Sequence, residues 1–330
     1  MFTKRILSVI ICVIMLAAML VIPATNTGAL TSDLAQTQSN VVGYNLPDDV
    51  HNGNILHAFN WKLKEVTQYA QEIAAAGYTA VQVSPVQASK DTTNDGAYSN
   101  DWWCFYQPLD LAIGNELGDA DDLKEMCDTL HTYGIKVICD VVTNHVQNST
   151  SKTEAAKVSA TLRGYLRRGS GTTVTPYIDN TRAGQVTSDL NSQLPDLDTS
   201  DKGYQNYVIK YLDSLADCGV DGFRFDAAKH IETPKDGAVA SDFWPTITSA
   251  IKKKNPDSFI YGEVLAVGSG YDMTGYTDYI EVTDYAYGSK VRSALKSKNS
   301  ATLSKYGYNN AALEDNVLWV ESHDTFITAK

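Results

Sequence analysis

The sequence is poor in cysteine, and the cysteines it has do not form a recognisable site. Only five occur among 330 residues, with no CxxC pair, and the six histidines form no HxH or HExxH motif. These absences argue against a zinc centre and against a small fold held together by disulfides. Cys139 lies inside an apolar, strand-like run, so a buried free thiol is expected there.

Positive charge is also scarce. Lys and Arg number 27 against 39 Asp and Glu, which gives a net charge of −12 and a pI near 4.9. This balance argues against nucleic acid or an anionic membrane as a partner, and it is compatible with a neutral substrate such as a polysaccharide. With 43% hydrophobic residues and no internal repeat, the chain is compatible with one barrel domain.

Long apolar runs are confined to the N-terminus. Lys4 and Arg5 precede an apolar run at 6–22, and small and polar residues follow up to Ala29. This order is typical of a secretory signal peptide, which predicts residues 1–29 as the signal and a secreted, extracellular protein. An uncleaved membrane anchor is the alternative, because the run approaches transmembrane length. No later stretch is long enough to cross a bilayer, so no other membrane contact is expected.

Strand-like and helix-like segments alternate after a polar segment at 30–40. The predicted strands are Ile55–Phe59, Thr79–Ser84, Lys136–Val142, Gly222–Phe225, Phe259–Tyr261, Tyr279–Val282 and Val317–Val320. This alternation predicts a parallel sheet with crossover helices, an α/β fold of the (β/α)8 TIM-barrel type. Residues 41–145 and 201–330 would form the barrel, and 146–200 a small domain inserted after strand three. Because a closed barrel has eight strands, we expect the barrel to be truncated after strand seven, with its C-terminal elements missing from this chain.

Polar residues stand at the carboxyl ends of four predicted strands, which meet on one rim of a parallel barrel. Arg224 and Asp226 are two residues apart and therefore point to the same face. The guanidinium is expected to lower the pKa of Asp226 and keep it ionised, as a nucleophile requires. Glu263 would lie beside that charge, where burial and like charge favour a proton-donating acid. Retaining glycoside hydrolysis uses this division when the two groups lie about 5–5.5 Å apart, whereas a wider gap would indicate inversion.

A third carboxylate and several other side chains join this group. Asp324 would stabilise an oxocarbenium-like transition state, and His145 and His323 would donate to the same sugar as neutral imidazoles. The aromatic residues Trp102, Trp103 and Tyr106 follow strand two and would stack on the apolar face of a pyranose.

Each of these residues also has a structural interpretation. A single Asp at a strand end is more often a helix cap, and Arg224 with Asp226 would serve as a structural ion pair. An isolated histidine or tryptophan is more often a core or surface residue. These interpretations do not predict polar groups at four strand ends of one rim, so the co-occurrence favours a catalytic site.

Several segments carry a family resemblance. In order, DVVTNH (Asp140–His145), GFRFDAAKH (Gly222–His230), YGEVL (Tyr261–Leu265) and VESHDT (Val320–Thr325) resemble the four signature regions of the α-amylase family, glycoside hydrolase family 13. LPDLD (Leu194–Asp198) resembles an additional region of that family. HAFNW (His57–Trp61) and WWCFYQP (Trp102–Pro108) resemble the bacillary saccharifying α-amylases. The resemblance extends from about residue 41 to the last residue.

The resemblance implies a role for each matched position. Asp226 matches the nucleophile, Glu263 the general acid/base and Asp324 the transition-state stabiliser. The residues expected in substrate binding are Trp103, Tyr106, His145, Arg224, Lys229, His230 and His323. The Lys-His pair at 229–230 is typical of α-amylases, and it implies endo-cleavage of α-1,4 bonds in starch and maltooligosaccharides.

The resemblance also implies a structural Ca2+ between the barrel and the inserted domain. Asn144 matches a side-chain ligand, and His230 would contribute its backbone carbonyl, since oxygen donors suit calcium. Asp189 is expected to supply the ligand from the inserted domain, with Gln185 as the alternative under a different gap placement. Asp140 matches a residue that supports the site through hydrogen bonds. A monomer is expected.

Other functions stay open at this point. Another family 13 hydrolase or transglycosylase would share the same site, and products from amylose, pullulan and isomaltose would separate them. A non-catalytic glucan-binding homologue is the alternative from a different class, and the presence of all three carboxylates argues against it.

Overall fold

The computed structural model of the chain describes residues 46–92, 101–148, 152–167, 182–190, 194–264, 273–298, 311–320 and 322–323. The predicted signal peptide, the polar segment at 30–40 and Asp324 lie outside these residues. The division of the chain into a barrel and an inserted domain stays a prediction.

The part of the chain that the structure describes contains nine strands, of which seven form the parallel main sheet and two form a separate antiparallel pair. The strands are β1 (Ile55–Ala58), β2 (Ala80–Val83), β3 (Gln87–Ser89), β4 (Pro108–Ile113), β5 (Lys136–Val141), β6 (Gly222–Phe225), β7 (Phe259–Gly262), β8 (Glu281–Asp284) and β9 (Asn316–Leu318). Hydrogen bonding orders the main sheet β1-β2-β5-β6-β7-β8-β9, so each new strand joins the edge left by the previous one. This order is that of a TIM-barrel-like fold and confirms the predicted fold class.

Helices lie between the strands. They are α1 (Leu63–Gln68), α2 (Ala70–Ala75), α3 (Ala120–Thr132), α4 (Lys152–Ala155), α5 (Ala160–Arg163), α6 (Arg182–Thr187), α7 (Lys202–Asp217), α8 (Phe243–Lys254), α9 (Thr274–Thr277) and α10 (Tyr285–Ser297). The sequence pattern predicts a single helix over Leu63–Ala75, but the structure divides it at Tyr69, which has a φ of −98° and a ψ of 12°. The sequence pattern also predicts a helix over Lys290–Lys296, but α10 begins earlier, at Tyr285, because the Asp284 side chain caps it.

Helix α3 shows how local sequence produces these elements. Its N-terminus is capped by Asp119, whose carboxylate accepts hydrogen bonds from the backbone nitrogens of Asp121 and Asp122 at 3.0 Å. The sequence pattern predicts one apolar face here, and the structure buries the side chains of that face, namely Leu123, Met126, Cys127 and Leu130. Gly134 ends the segment with a φ of 76°, a conformation that favours glycine. The helix is therefore fixed at both ends and held against the sheet by its apolar face.

The inner face of the sheet changes from apolar to polar toward the carboxyl ends of the strands. Along β5, alternate residues such as Val137 and Cys139 pack in the layer between sheet and helices. A separate inner cluster contains Ala80, Ile138, Phe259 and Tyr261. Further along, Asp140 of β5 pairs in register with Arg224 of β6. The register thus places charged groups side by side where the strands end.

The sheet curves so that its first and last strands approach each other. His57 of β1 and His323, which follows β9, have ring centroids 5.3 Å apart. Near the opposite ends of the strands, His51 Nε2 lies 2.7 Å from Glu281 Oε1 at the start of β8. The curvature gathers the carboxyl ends of the strands around one site. Within the part of the chain that the structure describes, no helix is long and apolar enough to cross a membrane.

The antiparallel pair β3–β4 is not predicted by the sequence pattern, because three residues of β3 are too few to show alternation. Gln87 of β3 fixes this hairpin to the end of β5. Its side chain donates to the Val142 carbonyl at 2.8 Å and accepts from the Val142 nitrogen at 3.0 Å. The 3-10 helix Trp102–Tyr106 precedes β4, so the hairpin holds these aromatic residues beside the carboxyl end of β5.

Candidate active site

Arg224 is the centre of a buried cluster of carboxyl groups. Its Nη1 donates to both oxygens of Asp140, at 2.9 and 2.8 Å, and to Asp226 Oδ1 at 2.8 Å. Its Nη2 lies 3.1 Å from Glu263 Oε1. Because β5, β6 and β7 are adjacent, three strands deliver four charged side chains to one place. One guanidinium thus bridges the predicted nucleophile and the predicted acid.

Glu263 is held on its other side by the turn that follows β6. The backbone nitrogen of Ala227 donates to Glu263 Oε2 at 3.0 Å, and that of Lys229 donates to the Glu263 carbonyl at 3.1 Å. Ala227 has a φ of 50°, in the left-handed region that non-glycine residues rarely adopt. A strained residue next to a predicted catalytic group is typical of a functional site.

The electrostatics differ from the sequence expectation in one respect. Burial raises the pKa of Asp226 well above its usual range, and the nearby carboxylates of Glu263 and Asp140 add to the rise, although Arg224 opposes it. The expected net lowering of the Asp226 pKa was therefore wrong, because one guanidinium shared by three carboxyl groups does not offset their burial. Burial likewise raises the pKa of Asp140 to about 6, against the effect of Arg224.

Tyr106 and His323 belong to an aromatic cluster next to these carboxyl groups. Tyr106 donates from its hydroxyl to Asp140 Oδ2 at 2.9 Å. The His323 ring stacks on Tyr106 at 5.7 Å and on Phe59 at 4.7 Å between centroids. Burial, helped by the charge of Arg224, lowers the pKa of His323 to about 3, so the ring is neutral as expected. Asp324, the next residue, lies outside the described part of the chain.

The two tryptophans of the 3-10 helix have different surroundings. Trp102 joins the aromatic cluster, with its ring centroid 6.0 Å from that of Tyr106 and 5.8 Å from that of His323. Trp103, the residue expected to bind substrate, is 38% exposed, and Lys90 Nζ lies 5.0 Å from its ring centroid. Trp103 is therefore available to solvent, whereas Trp102 is packed into the site.

His145 is buried and neutral. Burial lowers its pKa to about 4. Its Nε2 lies 3.0 Å from the Tyr106 carbonyl oxygen, and since a carbonyl only accepts, this nitrogen carries the hydrogen. A hydrogen bond from the same nitrogen to a sugar would have to replace or share that contact.

Lys229 and His230 lie in the short 3-10 helix Ala228–His230 that follows Asp226. Burial lowers the pKa of both side chains. His230 Nδ1 donates to the Gln185 carbonyl of helix α6 at 3.0 Å. The two predicted substrate-binding residues are therefore next to helix α6 as well as to Glu263.

The residues expected to hold calcium fit a cation that prefers oxygen ligands. Asn144 is fully buried, and its Oδ1 accepts no hydrogen bond from any residue that the structure describes. Asp189 is also buried and accepts a hydrogen bond from the Asp196 nitrogen at 3.1 Å. A buried amide oxygen without a partner is costly unless a donor or a cation satisfies it. Among the described residues, no three His, Cys, Asp or Glu side chains group to hold a metal, and the expected set contains only one carboxylate.

The fold and the site together define a TIM-barrel-like protein with a buried arginine–carboxylate centre at the carboxyl edge of its sheet. Residues 53–284 match the model of a known family, the α-amylase catalytic domain. The chain belongs to this family.

Two curated relatives are the α-amylases of Clostridium acetobutylicum and Butyrivibrio fibrisolvens. They are 34% identical over 307 residues and 36% identical over 314 residues. The alignments cover 88% and 85% of this chain but 38% and 32% of the relatives, so the chain spans about a third of their length. A solved structure of α-amylase I from Eisenia fetida shares the fold, with a TM-score of 0.65 and 24% identity over 82% of this chain and 58% of that chain.

Two features of the site escaped the sequence reasoning. The first is His57 on β1, whose ring packs edge-on against His323. Phe59 also contacts His323, and because His57 lies two residues before Phe59, strand alternation places both side chains on the same face; that alternation was the sequence signal for His57. The left-handed conformation of Ala227 has no such signal, because alanine does not mark a turn of this kind.

Proposed function

We propose that the chain forms the catalytic part of an α-amylase that hydrolyses internal α-1,4-glucosidic bonds of starch and maltooligosaccharides with retention. The observation that carries the proposal is the single guanidinium of Arg224 in contact with Asp140, Asp226 and Glu263. Two of these carboxyl groups at the end of a barrel match what glycoside hydrolysis requires. The family and the two bacterial relatives named α-amylase support the choice of substrate.

The reaction would proceed in two displacements. In the first, a carboxylate oxygen of Asp226 attacks the anomeric carbon, the glucosidic C–O bond breaks, and Glu263 gives its proton to the departing oxygen. In the second, the Glu263 carboxylate takes a proton from water, the resulting hydroxide attacks the same carbon, and the bond to Asp226 breaks. Arg224 favours the ionised form of Asp226 against its burial, and the Ala227 nitrogen holds Glu263 in place.

The remaining residues would bind and orient the sugar. Asp324 would stabilise the charged transition state. Tyr106, His145 and His323 would surround the sugar at the cleavage point, and the exposed ring of Trp103 would bind a neighbouring glucose unit. Lys229 and His230 would contact the departing part of the chain. The contact of the His323 ring with Tyr106 supports grouping these residues at one subsite.

We also propose a structural Ca2+ held by the Asn144 side chain, the Asp189 carboxylate and the His230 carbonyl. Bound there, the ion would neutralise buried negative charge and join the inserted segment to the barrel. The unpartnered Asn144 Oδ1 supports this assignment. The N-terminal sequence supports secretion to the extracellular space, and we propose that the protein acts as a monomer.

A reducing-sugar assay on soluble starch tests the proposed function. The chain should release reducing ends, and Asp226→Asn should abolish the release because an amide cannot act as the nucleophile. Asp128→Asn, on the exposed face of α3, is the matched control and should behave as the unsubstituted chain.

Other substrates separate the competing assignments. Cleavage of pullulan or isomaltose in preference to amylose would point to another member of the family. A folded chain that binds starch without cleaving any of these substrates would contradict the enzymatic assignment and favour a glucan-binding protein.

A further inference from the structure

The turn that follows β6 supplies two backbone hydrogen bonds to Glu263. Ala227 donates to the carboxylate at 3.0 Å, and Lys229 donates to the backbone carbonyl at 3.1 Å. Ala227 itself adopts the left-handed conformation, with a φ of 50°. Such a conformation in a non-glycine residue persists only when its surroundings hold it.

Arg182, at the start of helix α6, holds the far end of this turn. Its guanidinium donates to the carbonyl oxygens of Lys229 and Ile231, the latter at 2.9 Å. The Tyr276 hydroxyl lies within hydrogen-bond distance of the same two carbonyl oxygens, at 2.9 Å from that of Lys229 and 3.1 Å from that of Ile231. The turn is therefore restrained by groups that belong neither to β6 nor to β7.

Arg182 is itself fixed in place. Its Nε and Nη2 donate to the two carboxylate oxygens of Asp236, at 2.8 and 3.0 Å. Its Nη2 also lies 2.7 Å from the Tyr276 hydroxyl, and the guanidinium carbon lies 5.5 Å from the centre of the Tyr276 ring. Asp236 in turn accepts from the Thr233 nitrogen at 2.6 Å, which closes the following turn. A planar, paired guanidinium of this kind is a rigid support.

We propose that Arg182 is a positioning residue for Glu263 and acts through the turn Ala227–Ile231. The inserted segment thereby sets the geometry of the acid/base without contacting the reacting atoms. This inference rests on the proposed function, because it assumes that Glu263 protonates the departing oxygen. Protonation by Glu263 matters most for a poor leaving group such as a sugar hydroxyl, whereas a good leaving group departs with little help from an acid.

Substrates with different leaving groups test this role. With Arg182→Met, kcat/KM on maltohexaose, which reports the step in which the leaving group departs, should fall by about tenfold or more, because the acid is misplaced in that transition state. With 2-chloro-4-nitrophenyl α-maltotrioside, which has a good leaving group, kcat/KM should stay within about threefold. Arg163→Met is the matched control. Arg163 also donates to two backbone carbonyls, of Ala156 at 2.9 Å and Val158 at 2.6 Å, but it does not touch this turn.

Two milder variants test the same role in case Arg182→Met does not fold. Tyr276→Phe removes only the shared hydroxyl and should show the same preference for the aryl substrate in weaker form. Arg182→Lys, which keeps the charge but not the paired geometry, should fall between the methionine variant and the unsubstituted chain. Circular dichroism should show that all variants fold.

Three results would overturn the inference. One is an equal loss on both substrates in a folded Arg182→Met variant. Another is unchanged kcat/KM on maltohexaose, and the third is full recovery of activity in saturating calcium, which would place the role of Arg182 at the metal. An unsubstituted chain without activity would instead contradict the proposed function itself.

Discussion

Replacing Arg224 with lysine tests whether one guanidinium organises the whole site. The arginine contacts Asp140 at 2.9 and 2.8 Å and Asp226 at 2.8 Å through Nη1, and Glu263 at 3.1 Å through Nη2. Lysine keeps the positive charge but carries its donors on a single nitrogen atom. It cannot occupy the positions of both Nη1 and Nη2, so at least one charge-assisted contact is lost.

The size of the effect follows from the contacts that are lost. A hydrogen bond between charged groups contributes about 1.5–3 kcal/mol, so losing one in the transition state should lower kcat/KM by about 10- to 100-fold. The free energy of unfolding should fall by about 1–3 kcal/mol, because the charge is retained but one carboxylate stays buried without its partner.

Initial rates on soluble starch and urea unfolding would measure the two quantities. Arg163→Lys on helix α5 is the control, since Arg163 is remote from the carboxyl cluster and should show neither change. If kcat/KM of Arg224→Lys stayed within about twofold of the unsubstituted chain, the shared guanidinium would not be the organising group.

Three further predictions concern pH, calcium and the core. The value of kcat/KM, measured by initial rates, should rise with pH through an apparent pKa above the usual range of an aspartate, because burial raises the pKa of Asp226 and the protonated nucleophile is inactive; a midpoint at the usual aspartate pKa of about 3.9 would contradict this. The folded chain holds the Asp140 proton more tightly than the unfolded chain, so the stability it contributes is fully present below the usual aspartate pKa of 3.8 and is lost as the pH rises through about 6. Calcium should raise the Tm of the unsubstituted chain and chelation should lower it, whereas Asn144→Leu should show neither response; an unchanged calcium response in that variant would exclude Asn144 as a ligand. Leu130→Ala should cost about 2–5 kcal/mol in urea unfolding because it leaves a cavity under α3, and Glu125→Ala on the exposed face should cost far less; equal costs would show that the face is not packed as described.

The fold was largely predictable because parallel strands and helices alternate with clear apolar patterns. All seven predicted strands of the main sheet are present, and the buried face of α3 is the predicted one. The hairpin β3–β4 was missed, since it is too short to show a period and is fixed by the long-range contact of Gln87 with Val142. The break at Tyr69 is a tertiary effect that helix propensity does not reveal.

The residues of the site that stand at strand ends could be predicted from the sequence. The properties that depend on three-dimensional packing, such as pKa values and long-range contacts, could not. Arg224, Asp226 and Glu263 converge as expected, because register and topology bring them together. The direction of the Asp226 pKa depends on a balance between burial and shared charge, which sequence spacing does not give. The contacts of Arg182 could not be predicted from the sequence either, because its partners Ile231 and Tyr276 lie about 50 and 90 residues away along the chain.

The most direct test of the central claim is the configuration of the first product. Proton NMR of maltohexaose hydrolysis, recorded before mutarotation, reports the anomer released at the new reducing end. The two-step reaction through Asp226 predicts the α anomer at early times, followed by slow conversion to the α/β mixture. Early release of the β anomer would show inversion and would contradict the assignment of Asp226 as a nucleophile.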